Sequence, residues 1–221
     1  MTSDTGGSAA DALRARLAHL LAAHDKPAAV AAALEAVASG DVDIPTLYEQ
    51  VLGPIMVDTG TRWQQGTTRV WEEHLAANTV RTVVDALYPE VQRLAGSCPR
   101  SGRRVLLTCP PDEAHDLGLC MLADRFDMAG WTTYLLGADT PGPEIAAAAE
   151  GLSAELIVIT SSTHFHRLRV RSLLDELHVR VPSVQVVVGG PAFADGTEGF
   201  AGDEIMHPEH YFGPSGAAAS E

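Results

Sequence analysis

The sequence predicts an α/β protein in two parts: an N-terminal four-helix bundle, then a Rossmann-like (flavodoxin-like) domain built on a doubly wound parallel sheet. Apolar residues recur at helical spacing through residues 9–97, whereas residues 103–214 alternate short apolar runs with helical segments. Where the two parts meet, "SCPRSGRR" (97–104) has the composition of a linker. We expect residues 1–8 and 215–221 to be disordered.

Four helical segments are predicted in the first part. The first contains "DALRARLAHLLAAH", whose leucines fall on one stripe, and the second, "KPAAVAAALEAVASG", has a proline near its start and a glycine at its end. The third is "DIPTLYEQVLGPIMVDTGTRWQQG", interrupted at Pro54, and the fourth is "RVWEEHLAANTVRTVVDALYPEVQRLAG", with a break near Pro89. Four helices of this length with short loops are typical of a small bundle.

The second part alternates strands and helices, which is typical of a parallel sheet with helical crossovers. The predicted strands are Val105–Cys109, Trp131–Leu136, Leu156–Thr160 and Val184–Val188. The predicted helices are His115–Met128, Pro143–Leu152 and His164–Val179. The C-terminal stretch "FAGDEIMHPEHYFGPSGAAASE" is expected to add an edge strand.

Composition and charge limit the classes of function. The 221 residues are 46% hydrophobic, which is ample for a core, and the formal net charge is −14 at pH 7. So acidic a chain lacks the basic surface of a nucleic-acid-binding protein, so we expect no direct nucleic-acid partner. There is no apolar leader or membrane-spanning run, which predicts a cytoplasmic protein with no membrane partner. The three cysteines, Cys98, Cys109 and Cys120, form no Cys-x-x-Cys pair, which argues against disulfides and zinc.

A charged cluster follows the first predicted strand, in "PPDEAHDLGLC" (110–120). Open α/β sheets bind ligands at the carboxyl ends of their strands, so this position favours a binding site. Neither G-x-G-x-x-G nor a Walker A loop occurs here, which argues against dinucleotide and nucleoside triphosphate binding. His115 is interpreted either as a residue that caps the following helix or as a metal ligand, since a neutral imidazole binds transition metals.

Three short motifs, each at the end of a predicted strand, together resemble the pattern of a known family. They are Glu113-x-His115-x-x-Gly118, then "TSST" (160–163) after 41 intervening residues from Gly118 to Thr160, then "GGPAFA" (189–194) with 26 residues between Ser162 and Gly189. This pattern resembles the cobalamin-binding module of methionine synthase, cobalamin-dependent mutases and corrinoid proteins. The middle element departs from the family pattern, because Ser162 or Thr163 stands where a leucine is usual.

The resemblance implies a role for each matched residue. His115 is expected to be the lower axial ligand of cobalt, and Glu113, rather than Asp116, to orient its ring. Gly118 is expected to let the nucleotide tail run against the backbone, Ser161 or Thr160 to bond the tail base, and the later glycines to leave it room. The cofactor-binding residues that the resemblance implies in this part are Glu113, His115, Gly118, Thr160, Ser161, Ser162, Gly189 and Gly190.

A second pattern lies in the helical part. Trp63 is followed after nine residues by Glu73 and His74, and Val70 shares a helix face with them at i, i+3 and i+4. Upstream of a cobalamin module this resembles the light-sensing half of CarH- and LitR-type photoreceptors, AerR-like antirepressors and photocobilins. The resemblance implies that these four residues cap the upper face of adenosylcobalamin, whose cobalt–carbon bond light breaks. Gln64 stands where CarH-type sensors carry a second cobalt-binding histidine, and their MerR-type DNA-binding domain has no counterpart.

The resulting expectation is a light-responsive regulator rather than an enzyme, a homodimer that signals to a regulatory partner protein. The alternatives are a corrinoid methyl carrier of a methyltransferase system and a cobalamin storage protein. A second chromophore, biliverdin bound without a covalent link, is also predicted, and an unassigned group of histidines could either meet it or flank the corrin. That group is His164, His166, His207 and His210. Trp71 and Trp131 are interpreted as packing residues.

Overall fold

The structure, a computed structural model, describes residues 5–194 and 196–212 and divides the chain into two compact units, Met1–Val91 and Gln92–Glu221. The predicted disordered tail, 215–221, lies outside the described residues, as do residues 1–4 of the predicted disordered N-terminus. Helix formation begins at Thr5, four residues before the predicted start. Across the described ranges, no helix is long and apolar enough to cross a membrane.

The first unit is helical. Its helices are α1 (Thr5–Ala22), α2 (Lys26–Ala38), α3 (Ile44–Thr46), α4 (Gly53–Gln64) and α5 (Val70–Ser97), with a π-helical segment, Leu47–Leu52, joining α3 to α4. Aspartates cap two starts: Asp25 accepts from the Ala28 N–H at 3.1 Å and Asp43 from the Thr46 N–H at 2.7 Å. The boundary between the units falls within α5.

The two predicted proline breaks do not occur. The chain stays helical through Pro54, because the π-helical segment carries the backbone into α4 and the Gln50 carbonyl, four residues before the proline, accepts from the Arg14 guanidinium at 3.4 Å. Helix α5 continues past Pro89, which is exposed, as is Asp85, whose carbonyl loses its helical partner. Water can satisfy that carbonyl, so the helix tolerates the proline.

The second unit contains a four-stranded, all-parallel sheet in the order β2-β1-β3-β4. The strands are β1 (Arg104–Thr108), β2 (Thr132–Gly137), β3 (Leu156–Thr160) and β4 (Gln185–Gly189). Helices α6 (Leu117–Met128), α7 (Gly142–Leu152) and α8 (Arg167–Arg180) connect them, and both faces of the sheet are packed with apolar side chains. The strand order reverses between β1 and β3, so the carboxyl ends of these two strands form the crevice where such sheets bind ligands.

The prediction of a C-terminal edge strand is wrong for the part of that stretch that the structure describes, which ends at residue 212. That stretch makes one parallel bridge, between Val188 and Ile205, and then a short helix, α9 (Glu209–Phe212). Pro208 has no N–H to extend a strand ladder, and the aromatic ring of Phe212 packs on Phe126 at 4.9 Å between ring centroids. Apolar packing therefore replaces sheet extension here.

Candidate functional site

The loop after β1 carries the predicted metal ligand and is held in place at several points. Asp112 adopts a left-handed backbone, with φ of 63°, and its N–H donates to the Asp139 carboxylate at 2.8 Å. The Asp139 N–H in turn donates to the Glu113 carbonyl at 3.0 Å, and Arg169 on α8 pairs with the Asp112 carboxylate. Helix α6 starts at Leu117 rather than at His115, so His115 lies in this ordered loop.

Glu113 lies at the centre of the site and is fully buried. One carboxylate oxygen, Oε1, accepts from the His115 backbone N–H at 3.0 Å and faces His115 Nδ1 at 2.6 Å. The other, Oε2, accepts from the Ser161 hydroxyl at 3.2 Å and the Ser162 N–H at 2.8 Å, and faces His166 Nδ1 at 3.0 Å. A single carboxylate therefore joins the chain after β1 to the chain after β3.

These contacts fix the charge of Glu113. Burial by itself would raise the pKa of the Glu113 carboxyl, but the hydrogen bonds from His115, Ser162 and His166 outweigh it and hold that pKa well below its ordinary range. An ionised carboxylate accepts hydrogen bonds only, so both histidine rings donate through Nδ1–H. In the neutral ring of His115 the lone pair is consequently on Nε2.

His115 has the chemistry of a metal ligand. Its side chain is 63% exposed while its carboxylate partner is completely buried, so the ring is held from behind and presented at the surface. A metal-binding histidine commonly gives its other N–H to a carboxylate, which fixes the tautomer and increases the basicity of the ligand. The donor set therefore fits a corrinoid cobalt, with Nε2 of His115 as the ligand atom.

The hydroxyl residues after β3 bond to the protein itself. Ser161, buried at 1% exposure, gives its hydroxyl to Glu113, and Thr160 places its hydroxyl 3.6 Å from the Cys109 sulfur. Burial raises the pKa of the Cys109 thiol to about 12, so this cysteine is an inert core residue. Hydrogen bonding of a tail base by Ser161 or Thr160 stays a prediction, as does a cofactor-binding role for Ser162.

The predicted glycines fall into two classes. Gly190 has φ of 97°, and a Cβ there would lie 2.6 Å from the Ser161 carbonyl oxygen, so the close approach of β3 and β4 needs this glycine. A Cβ on Gly189 would meet only Met206 at 3.5 Å, and one on Gly118 would project into open space. The open surface at Gly118 is compatible with a ligand tail passing over α6.

His166 is the site residue that the sequence did not assign to the cluster. It was predicted only as part of a histidine group that would meet a second tetrapyrrole or flank the corrin, yet its ring bonds the same carboxylate as His115. No local motif could have revealed this, because 53 positions separate it from Glu113. The other members lie elsewhere: His164 Nδ1 is 3.1 Å from the Ala192 carbonyl, and the His207 and His210 rings are 5.2 Å apart.

The residues of the second predicted pattern lie close together in the first unit. Trp63, at the end of α4, and Val70 and His74, in the first turns of α5, line an open pocket of about 550 Å³, and Glu73 lies 3.5 Å from the His74 ring. We call this the tryptophan pocket. Its lining residues are Trp63, Gly66, Thr68, Arg69, Val70, Trp71 and His74.

Trp71 is not the packing residue that was predicted from the sequence. It is 51% exposed, lines the tryptophan pocket, and has its ring 5.3 Å from that of His24. Trp131, by contrast, is buried at 3% exposure. The pocket therefore offers two indole surfaces, of which the sequence identified one.

The α4–α5 loop keeps the pocket open through backbone contacts. The Thr67 hydroxyl donates to the Arg62 carbonyl at 3.0 Å, and Gly66 turns the chain with φ of 72°. Helix α5 then begins with the Glu72 carboxylate accepting from the Arg69 N–H at 2.7 Å. These bonds hold Trp63 near Val70 although both side chains are about half exposed.

Comparison with known proteins gives two family matches and several relatives. Residues 103–209 match a family described as B12 binding domain, and residues 13–88 match a second family of the same description. The HTH-type transcriptional repressor CarH of Myxococcus xanthus is 29% identical over 146 residues, which are 66% of this chain and 47% of the repressor. Trimethylamine corrinoid protein 1 of Methanosarcina mazei is 24% identical over 182 residues, which are 81% of this chain and 83% of that protein.

Among solved structures, the monomethylamine corrinoid protein of Methanosarcina barkeri has a TM-score of 0.72 at 17% identity, covering 84% of this chain and 87% of that chain. This likeness confirms the predicted fold, a helical N-terminal region followed by a Rossmann-like parallel sheet. The chain spans about half the length of CarH and most of the length of the corrinoid proteins.

Proposed function

The chain carries a pair of B12-binding domains, a helical cap and a Rossmann-like module, and from that premise we propose that it is a light-responsive regulator that holds adenosylcobalamin. When bound, this cofactor supplies a cobalt–carbon bond that light breaks. The contribution of the protein is to bind and orient the cofactor and to change its own association state. We propose that it acts as a binding protein and not as an enzyme.

His115 is assigned to the lower face of the corrin. Its Nδ1 bonds the buried Glu113, its Nε2 is the atom assigned to cobalt, and the Glu113 contacts after β3 keep that orientation. Gly118 is assigned to the path of the displaced nucleotide tail, since its surface is open. Gly189 and Gly190 are assigned to the walls of the tail slot.

The tryptophan pocket is the single observation that carries the sensor proposal. Trp63 and Val70 supply apolar surface on which an adenine can pack, and the neighbouring Glu73 and His74 can bond ribose hydroxyls. This is the chemistry of a 5′-deoxyadenosyl group. A methyl group is too small to use an open pocket of this size and polarity.

A methyl-carrying corrinoid protein is the second candidate function. It is favoured by the match to Trimethylamine corrinoid protein 1, which extends over 83% of that protein, whereas the match to CarH covers 47% of the repressor. A carrier must present its upper corrin face to partner enzymes in turn. The half-exposed indoles of Trp63 and Trp71 would then contact a partner instead of an adenosyl group.

The experiment is reconstitution in the dark with adenosylcobalamin or methylcobalamin, followed by green light, with absorbance and size-exclusion chromatography before and after. A sensor should prefer the adenosyl form, photolyse, and change its elution volume; Trp63→Ala should weaken both the preference and the change. Equal binding of the two forms with no light-dependent elution change would instead favour the carrier. Tyr88→Ala, which removes a side chain of α5 that is 55% exposed and belongs to neither pattern, is the matched control for loss of a large, half-exposed side chain.

The remaining expectations are proposals with their own tests. A homodimer in one light state is tested by the elution volume, and a regulatory partner protein by capture on dark and illuminated holoprotein. Biliverdin binding is tested by incubating the cobalamin-loaded protein with biliverdin and recording a red absorbance band after desalting. Substituting His207 and His210 together should remove that band if they contribute to the site.

A further inference from the structure

The His166 ring is anchored at the same carboxylate as the proposed cobalt ligand. It belongs to a 3-10 turn, His164–His166, between β3 and α8, and its side chain is 18% exposed. The neighbouring Phe165 is 93% exposed, so the turn directs one ring inward and the next one to the surface. His166 Nδ1 lies 3.0 Å from Glu113 Oε2.

The donors divide between the two oxygens of Glu113. Among the described residues, Oε1 accepts from His115 alone, through its backbone and its ring, whereas Oε2 accepts from Ser161, Ser162 and His166. Rotating the carboxylate would break all three bonds at Oε2, so these residues fix the plane in which Oε1 meets the His115 ring. His166 is the only one of the three that contributes an aromatic ring, and all three bonds are charge-assisted because the acceptor is ionised.

His164 belongs to the same 3-10 turn but is anchored elsewhere. Its Nδ1 faces the Ala192 carbonyl, in the chain after β4, at 3.1 Å. Two histidines of one turn thus have different partners. They make a matched pair for separating a general structural effect from an effect on Glu113.

We propose that His166 is a positioning residue: by holding Glu113 Oε2 it keeps Oε1 aligned on His115 Nδ1 and so maintains the Nε2 atom as a cobalt ligand. The inference rests on the proposed role of His115 as lower ligand. It adds a second imidazole, from the 3-10 turn before α8, to the carboxylate and the two serines that support that ligand.

The test uses full-length protein and three substitutions, His166→Ala, His166→Asn and His164→Ala. In apoprotein, ¹⁵N-resolved NMR of the imidazoles should show His115 in its Nδ1–H tautomer, with a larger share of the Nε2–H tautomer in His166→Ala. In cob(II)alamin-loaded protein with ¹⁵N-labelled histidine, a ¹⁵N doublet splitting in the EPR spectrum reports the histidine bond to cobalt, whereas a ¹⁴N triplet reports the cofactor's own base. The histidine-on to histidine-off ratio should fall about tenfold in His166→Ala, the low end of the effect of losing an outer-shell partner.

His166→Asn should restore most of both signals, because its amide N–H replaces the Nδ1–H donor, and His164→Ala should leave both unchanged. An unchanged or increased ratio in His166→Ala, or an equal loss in His164→Ala, would overturn the positioning role. His115→Ala separates the two proposals. If the ¹⁵N splitting survives that substitution, His115 is not the lower ligand; if it vanishes while His166→Ala behaves as wild type, only the role of His166 fails.

Discussion

Replacing Glu113 by glutamine should destabilise the second unit by about 2–4 kcal/mol even without a cofactor. Glutamine keeps the shape but has one acceptor oxygen, while the two oxygens of Glu113 receive two and three hydrogen bonds respectively. At least two donors therefore face an amide NH₂, and each buried donor left unsatisfied costs about 1–3 kcal/mol. Two such donors together cost about 2–6 kcal/mol. Because the exposed His115 ring can bond to water instead, we expect the loss of stability to lie in the lower half of that sum.

The same substitution should change how stability depends on pH. The folded pKa of Glu113 lies below its ordinary value of 4.5, so its contribution is fully present above about pH 4.5 and is lost as pH falls further. Urea unfolding followed by Trp131 fluorescence, in a Trp63→Phe/Trp71→Phe background, measures the second unit. The free-energy difference between wild type and Glu113→Gln should shrink as pH falls from 6 towards 3.

The control is Glu150→Gln, an exposed carboxyl on α7. It should change the free energy of unfolding by no more than about 0.5 kcal/mol at any pH, as surface substitutions usually do. A Glu113→Gln protein as stable as wild type at pH 7 would refute the reasoning. So would a difference that does not depend on pH, because the stabilisation would then not come from the ionised carboxylate.

Gly190→Ala should destabilise the second unit by about 2 kcal/mol or more in urea unfolding, because its φ of 97° is strained for alanine and the new Cβ would approach a carbonyl oxygen at 2.6 Å. Gly118→Ala is the control, because its Cβ meets open space and should leave the free energy of unfolding unchanged. Equal losses in the two variants would contradict this account. Iodoacetamide at pH 8 should modify Cys109 far more slowly than the two partly buried cysteines, by peptide mass spectrometry, since burial raises the pKa of its thiol to about 12. Trp63→Ala should alter the unfolding free energy of the apoprotein by less than about 1 kcal/mol, because the indole is 47% exposed. A large loss of apoprotein stability would make that residue part of the core instead of part of a binding surface.

The order of elements could be predicted because it depends on local periodicity and composition. The four strands were located to within one residue at most of their ends, since each is a short apolar run bounded by polar or glycine residues. The prolines were misjudged for a reason that is not local. At Pro54 the rescue comes from Arg14, on another helix, and at Pro89 from exposure to solvent.

The sequence by itself determined the fold class, because that depends on the alternation of strands and helices. It also determined the pairing of Glu113 with His115 and the grouping of Trp63 with Val70, Glu73 and His74, because these depend on spacings of a few residues. Only the tertiary structure decided what surrounds these groups. The reversal of strand order between β1 and β3 brings the ends of both strands together, and this places His166 on Glu113. Such a contact leaves no trace in local spacing, since it arises from the hydrogen-bonded register of a parallel sheet.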